Sequence, residues 1–180
     1  AHIIFRLDKG NLVYCDVRTF GCLWLIPPAG PTGVKGYDTL GPDANGPDFT
    51  VDYIWSLLKK SERTVKAFLL DQTVIAGLGN IYADEALFLA GIHPSRRCGS
   101  MTKKSLVALH EAIQSVLAEG ITYGGTTIRN FVNGSGREGG NRKNLAVYGR
   151  EGEPCIKCGT AVQYVKQGGR GTRYCPHCQK

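Results

Sequence analysis

Four cysteines near the end of the chain have the spacing of a metal site. Two residues separate Cys155 from Cys158, two separate Cys175 from Cys178, and sixteen lie between the pairs. Two such pairs on tight turns suit a closed tetrahedral site, so we expect one structural Zn²⁺. An iron–sulfur centre and two disulfides are the alternatives. His177 is a further candidate ligand, although four thiolates already complete the coordination.

A glycine-rich turn between the two cysteine pairs carries two arginines. Residues 167–173 contain three glycines together with Arg170 and Arg173. Glycine lets a backbone approach a phosphate closely, and arginine can hold two phosphate oxygens at once. We therefore interpret this turn as a DNA contact at the tip of a β-hairpin ribbon.

A second glycine pair precedes an apolar helical pattern. The segment 77–80 ends with Asn80, just before the position near Ile81 where a helix is expected to begin. Backbone N–H groups and the positive end of that helix can hold a phosphate, with Asn80 as the cap and as a side-chain donor. A tight packed turn without a ligand is the alternative.

The charge of the chain favours a polyanionic partner. The formal net charge of the 180 residues is +7, and residues 141–180 hold eight Lys+Arg against two Asp+Glu. Lysines and arginines that neutralise phosphates release counterions, which strengthens binding. A basic surface that serves only solubility is the alternative.

The sequence shows no pattern of export or membrane insertion. It has no run of eighteen apolar residues and no signal-peptide pattern, so we expect no membrane contact, a cytoplasmic location and reduced thiols. The other three cysteines, Cys15, Cys22 and Cys98, are then ordinary packing thiols.

The elements that must position these residues can be read from hydrophobic spacing. Alternation in 2–7 and 12–17 around a turn predicts a β-hairpin, and 22–26 is expected to add a third strand. Prolines and glycines between 27 and 48 predict a linker.

Helical spacing follows the linker. It predicts helices around 51–58, 65–69 and 81–90, and a fourth that Thr102 caps and Gly120 ends. Residues 133–144, rich in glycine and cations, are expected to form a mobile loop.

Three segments resemble, in the same order, parts of the formamidopyrimidine-DNA glycosylase and endonuclease VIII family. Residues 71–88 resemble its helix-two-turn-helix segment. Residues 147–150 and the cysteine ribbon after them resemble its C-terminal zinc finger, and 16–21 resemble the end of its N-terminal sheet domain. The similarity covers essentially the whole chain.

The resemblance implies an α+β multidomain fold. Residues 1–40 are expected to be the last strands of an N-terminal antiparallel β-sandwich and a linker. Residues 41–140 are expected to form a helix-two-turn-helix DNA-binding domain, and 141–180 a β-hairpin zinc ribbon.

The resemblance also implies roles for single residues in the first domain. Arg18 matches the residue that faces the cytosine left unpaired when a damaged nucleotide is flipped out, and Phe20 matches the wedge that enters the stack. A wedge of this kind offsets the cost of unstacking. For Phe20, a core aromatic is the alternative. His2 lies in a stretch that contacts DNA in the family.

Further roles fall on the later domains. Asn80 and Arg170 match phosphate ligands, and Arg170 also matches the residue that assists the second, δ, elimination. Lys66 matches a lysine that reaches the DNA or the lesion. The loop 133–144 matches the one that closes over an everted purine.

One departure from the family pattern concerns the nucleophile. The family uses the amine of an N-terminal proline followed by a glutamate acid, whereas this chain begins Ala1-His2. We therefore expect a C-terminal fragment that binds DNA and lacks glycosylase activity by itself.

For the full-length protein the resemblance implies a base-excision-repair enzyme. It is expected to be a bifunctional glycosylase and abasic-site lyase that removes oxidised purines from double-stranded DNA. We expect a monomer, because the sequence shows no coiled-coil or self-complementary motif. The alternatives are an endonuclease VIII for oxidised pyrimidines, a naturally inactive DNA-binding module and a zinc ribbon that binds RNA.

Overall fold

The computed structural model describes residues 2–16, 19–26, 28–29, 32–34, 36–128, 131–134 and 136–180. The chain divides into two compact units, Ala1–Asp38 and Thr39–Lys180. Among the described residues, no helix has the length and hydrophobicity needed to cross a bilayer.

The first unit contains the expected hairpin, although its second strand begins at Gly10 and ends at Tyr14 instead of starting at residue 12. Strands β1 (Ile3–Leu7) and β2 (Gly10–Tyr14) pair antiparallel, and the pair formed by Leu7 and Gly10 closes a two-residue turn. Apolar residues on both faces remain exposed, among them Ile4 and Leu12. Two strands cannot bury a face alone, so this hairpin does not make a core by itself.

The prediction of a third strand at 22–26 is wrong. These residues are described and form no strand, and Leu25 is fully exposed. The chain leaves β2 through a turn in which the N–H of Thr19 donates to the carbonyl of Asp16 (3.1 Å), and the segment pairs with neither strand. A run of apolar residues forms a strand only where its backbone can hydrogen-bond to the edge of a neighbouring strand.

The second unit begins with two short helices. They are α1 (Val51–Leu58) and α2 (Val65–Leu69). Each starts after a threonine, Thr50 or Thr64, whose hydroxyl accepts from the N–H three residues later. These caps satisfy N–H groups that have no partner inside the helix, which explains where the helices begin.

Two longer helices complete the helical part. Helix α3 (Asn80–Leu89) packs against α4 (Lys103–Thr122), and Thr102 caps α4 as predicted. Their apolar faces meet those of α1 and α2 in one core, which includes the buried residues Ile54, Leu58, Phe68, Leu69, Ile75, Ala83, Leu87, Leu106, Leu109 and Ile113.

The prediction that Gly120 ends α4 is wrong, since the helix continues to Thr122. A Cβ atom at Gly120 would overlap the ring and hydroxyl of Tyr82, which reaches across to the hydroxyl of Thr126 (3.0 Å). Glycine is needed here for close packing rather than for a helix end.

The final part of the unit is a two-stranded ribbon. Strands β3 (Gln163–Gln167) and β4 (Arg170–Tyr174) pair antiparallel across Gly168 and Gly169. Both glycines have positive φ, 54° and 76°, as a two-residue type I′ turn requires.

The expected mobile loop at 133–144 is partly packed. Gly139 is buried and its N–H donates to the hydroxyl of Thr127 (2.8 Å), while Asn141 begins a short 3₁₀ helix, Asn141–Asn144, and is buried. Glycines and polar residues, which suggested a loop in water, here serve close backbone approaches.

Candidate nucleic-acid interface

The four predicted cysteine ligands lie together. Their sulfur atoms are all within 4.8 Å of one another, with Cys155 Sγ 3.9 Å from Cys178 Sγ and Cys158 Sγ 3.5 Å from Cys175 Sγ. Zinc–thiolate bonds of about 2.3 Å in a tetrahedron place the sulfurs about 3.8 Å apart. The cluster therefore suits one zinc ion.

Short backbone turns aim the sulfurs of the first pair. The N–H of Gly159 donates to the carbonyl of Cys155 (2.9 Å), and Gly159 takes a positive φ of 76° that a side chain would strain. His177 is exposed and does not belong to the cluster, so the ligand set found in the described residues is four thiolates.

The second cysteine pair is tied to the helical part by Gln179. This buried side chain accepts from the N–H of Cys175 (2.8 Å) and donates to the carbonyl of Ile92 (2.9 Å). The three other cysteines are free thiols, with Cys98 buried in the helical core and Cys15 and Cys22 exposed.

The ribbon is fastened to the helices along β4. The ammonium of Lys66 donates to the carbonyl of Gly171 (3.2 Å) and to the hydroxyl of Thr172 (2.7 Å). Asn80 Nδ2 donates to the same carbonyl (3.0 Å), and the Asp84 carboxylate accepts from the N–H of Arg173 (3.0 Å). Side chains of α2 and α3 thus hold three consecutive residues of the strand.

A buried ion pair lies beneath this contact. Lys66 Nζ is 2.6 Å from Asp84 Oδ1, and both side chains are almost fully buried. Among the described residues, that oxygen has no partner other than the ammonium of Lys66. Burial raises the pKa of Asp84 to about 6 and lowers the pKa of Lys66, while each partner opposes the other's shift.

A second buried carboxylate, Glu85, organises the chain that leads into the ribbon. It accepts from the N–H groups of Ala146 (2.7 Å), Val147 (3.0 Å) and Tyr148 (2.8 Å). Burial raises the pKa of Glu85, and the three N–H groups oppose the rise.

Sequence reasoning missed both acids. Asp84 and Glu85 lie in the middle of α3, where most neighbours are apolar and buried. Two adjacent carboxylates in an otherwise apolar helix are the signal that was available, because such groups are rarely buried unless they have partners.

Of the two arginines predicted to bind phosphate, only Arg170 has an exposed side chain without an ion pair among the described residues. Arg170 is exposed and lines a groove of about 470 Å³ together with Arg63, Lys66 and Gln167. No ion pair of Arg170 occurs within the described part of the chain.

Arg173 is occupied by contacts within the protein. Its guanidinium lies 4.4 Å from the ring centroid of Tyr148 and 4.8 Å from that of Tyr164, and it pairs with Glu151 (3.3 Å). The interpretation of this arginine as a second phosphate ligand does not fit these contacts.

The structure also changes the position of Asn80 in its helix. Gly79 is the N-cap of α3, and Asn80 is the first helical residue, so the prediction of Asn80 as the cap is wrong. Its side chain turns to the ribbon instead. Its role as a phosphate ligand stays a prediction, as does the DNA contact of Lys66, whose three N–H donors all face acceptors in the protein.

The remaining predicted DNA contacts belong to the first unit. Phe20 is 79% exposed within the 180 residues, and its role as a wedge stays a prediction. His2 Nδ1 accepts from the N–H of Asp16 (3.1 Å). Arg18 and Ala1 lie outside the described residues.

A second cavity lies beside the start of α3. It has a volume of about 500 Å³ and its walls are largely apolar and aromatic. The side chains that line it are Asn80, Ile81, Tyr82, Thr126, Phe131 and Tyr148. Flat aromatic walls with a few polar groups suit a planar ring.

Fold and site define a class of protein: a helix-two-turn-helix domain, formed by α2, the turns at 70–79 and α3, joined to a four-cysteine zinc finger. Residues 40–132 match the family model of the formamidopyrimidine-DNA glycosylase H2TH domain. Residues 152–180 match that of the zinc finger found in FPG and IleRS. The chain belongs to the formamidopyrimidine-DNA glycosylase family.

Similar proteins agree with this assignment. The chain is 46% identical over its whole length to formamidopyrimidine-DNA glycosylase of Bacillus licheniformis and spans 66% of that protein. The corresponding Bacillus subtilis protein is 42% identical over 99% of the chain, which spans 65% of it. The chain thus covers slightly less than two thirds of these relatives.

Solved structures show the same similarity. MutM (Fpg) of Thermus thermophilus superimposes on 78% of the chain, which covers 54% of that protein, with a TM-score of 0.75 and 44% identity. Lactococcus lactis Fpg in complex with DNA containing an abasic site matches 79% of the chain and 52% of its own length, with a TM-score of 0.74 and 41% identity.

Proposed function

We propose that this chain is the DNA-binding part of a base-excision-repair glycosylase. The proposal rests on the proximity of two predicted phosphate ligands, Asn80 and Arg170. The side chain of Asn80 donates to the carbonyl of Gly171, the residue that follows Arg170. A helix start and an exposed guanidinium at one place offer a DNA backbone two kinds of donor. A Lactococcus lactis relative of similar fold has been crystallised with a Fapy-dG containing DNA, which supports this partner.

The proposed activity of the complete enzyme is bifunctional. It removes oxidised purines, 8-oxoguanine and formamidopyrimidines, and then cuts the strand. As the resemblance implies, an N-terminal proline amine attacks the sugar C1′, the base leaves, and a Schiff base forms that breaks down by β- and δ-elimination. Arg170 is proposed to assist the second elimination.

The cavity beside α3 is the proposed site for the everted base. A base that leaves the duplex needs surfaces to stack on and polar groups for its edge. Phe131 and Tyr148 provide aromatic surfaces for stacking. Asn80 and Thr126 provide polar groups for the edge of the base. Residues 133–144 are proposed to close over it, with Arg18 and Phe20 filling the space left in the duplex and Lys66 and His2 as further DNA contacts.

We expect a polypeptide of these 180 residues to bind duplex DNA without excising 8-oxoguanine, because none of them matches the proline nucleophile that the resemblance implies. Incubation of the purified chain, of verified mass, with an 8-oxoguanine duplex tests this. Robust excision contradicts it. With the longer protein, excision of thymine glycol in preference to 8-oxoguanine would favour the endonuclease VIII alternative.

Arg170→Ala is expected to weaken binding of an abasic-site duplex about tenfold, because one charged phosphate contact is lost. The slope of log K against log salt should fall by about 1. Fluorescence anisotropy at several salt concentrations measures both quantities. Lys104→Ala, which removes an equal charge from the exposed start of α4, is the matched control and should change neither by as much. Equal effects of the two variants would contradict a specific contact.

The remaining properties proposed for the protein follow from this role. Its partner is double-stranded DNA with oxidised bases or abasic sites, and it acts as a monomer in the cytoplasm of a bacterial-type cell. The basic balance of the chain, a formal net charge of +7, supports a polyanionic partner.

A further inference from the structure

The backbone from which Arg170 projects is held by one small group of side chains. Lys66, Asn80 and Asp84 together bind the carbonyl of Gly171, the hydroxyl of Thr172 and the N–H of Arg173. Asp84 is central, because it contacts both the ammonium of Lys66 and the backbone of β4.

The negative charge of Asp84 keeps the group together. Lys66 is buried, and its other charged neighbours, Arg170 and Arg173, repel it. A buried ammonium without a countercharge loses its proton or moves to water. In either case the hydrogen bonds to residues 171 and 172 weaken.

We infer that Asp84 is a positioning residue for DNA binding. Through Lys66 and the N–H of Arg173 it fixes residues 171–173, and thereby the place from which Arg170 reaches a phosphate. The inference rests on the proposed function, since it gives Asp84 an effect on DNA affinity only if Arg170 binds DNA.

The position of a charged donor matters because the strength of a charge-assisted hydrogen bond depends on geometry. Arg170 follows the turn of two glycines and has no ion pair of its own in the described residues. Its backbone is paired with Gln167 across the hairpin and continues directly into residues 171–173, so the contacts of those residues fix the end of the hairpin that carries it.

A double-mutant cycle tests the inference. The zinc-loaded chain, Asp84→Asn, Arg170→Ala and the double variant are titrated with a duplex that contains a tetrahydrofuran abasic site. The titrations are made at a temperature where each variant is folded and retains zinc. Asp84→Asn should weaken binding about fivefold to tenfold with Arg170 present and less than about twofold in the Arg170→Ala background.

This non-additivity separates positioning from general stability. A purely structural loss would lower affinity by the same factor in both backgrounds, and that result overturns the inference. Asp52→Asn, the same change at an exposed ion pair with Lys103, is the control and should leave affinity unchanged.

A milder variant covers the case in which Asp84→Asn does not fold. Thr172→Val keeps the shape of the side chain and removes the hydroxyl that accepts from Lys66 (2.7 Å) and donates to the carbonyl of Arg170 (3.4 Å). It should show the same dependence on Arg170 with a smaller loss of affinity, and full affinity of Thr172→Val would then overturn the inference.

If the wild-type chain does not bind the duplex, the proposed function fails and the inference with it. If wild type and Arg170→Ala differ as expected and Asp84→Asn is additive, only the inference fails.

Discussion

Removal of zinc is expected to abolish duplex binding by the chain, with a loss of affinity of at least about 100-fold. A structural zinc site contributes roughly 10 kcal/mol or more to the folding of a small domain. Here the ribbon has only two strands of five residues, and two strands alone are marginally stable. Without the metal the hairpin that carries Arg170 should lose its fixed shape.

Chelation followed by metal analysis, circular dichroism and anisotropy measures this loss. Cys175→Ala should reproduce it, because Cys175 is a buried ligand. Cys22→Ala is the matched control, since this cysteine is exposed and lies outside the cluster. Unchanged DNA affinity in a chain shown to be free of zinc would contradict the prediction.

The helical core is expected to survive zinc removal in part. It has its own buried cluster, centred on α3 and α4, whereas the ribbon cluster around Val147, Val162 and Cys175 is small. Helical signal should therefore fall less than DNA affinity. The comparison distinguishes loss of the ribbon from loss of the whole unit.

Features encoded by neighbouring residues were predictable from the sequence. The threonine before α4, the apolar spacing within the helices and the existence of a hairpin turn after Leu7 all depend on a few neighbouring positions, although the exact length of that turn was not predicted. The cysteine pairs belong to the same group, because the knuckle turn brings each pair together locally.

Features that depend on distant partners were not predictable in the same way. The hydroxyl that Lys66 contacts is 106 positions away, and the N–H groups that Glu85 binds are 61 to 63 positions away. The role of Gly120 likewise depends on Tyr82, which packs against it. Residues 22–26 form no strand because they pair with neither strand of the hairpin.

The two arginines of the ribbon show where a local rule was available and was not used. Arg170 and Arg173 both belong to β4 and are three residues apart. Side chains alternate between the faces of a strand, so residues at this spacing point in opposite directions. One arginine could therefore be expected to face the helical side and its groove while the other packs against Tyr148 and Tyr164.

Glu85→Ala is expected to destabilise the chain by about 3–5 kcal/mol. The change removes the acceptor for three backbone N–H groups, two of them in buried residues, Ala146 and Val147. Each buried donor left without a partner costs about 1–3 kcal/mol. Urea unfolding of the zinc-loaded protein measures the difference.

Two further variants make the result specific to Glu85. Glu85→Gln keeps one carbonyl oxygen but turns an NH₂ group toward an N–H donor, so its cost should lie between wild type and alanine. Glu111→Ala, the same change on the exposed face of α4, should alter the free energy of unfolding by less than about 0.5 kcal/mol.

Residues 146–148 lead from the helical part into the ribbon and place Tyr148 in the wall of the cavity, so Glu85→Ala should also weaken duplex binding. A stable Glu85→Ala chain with full affinity would show that these three N–H groups find other partners.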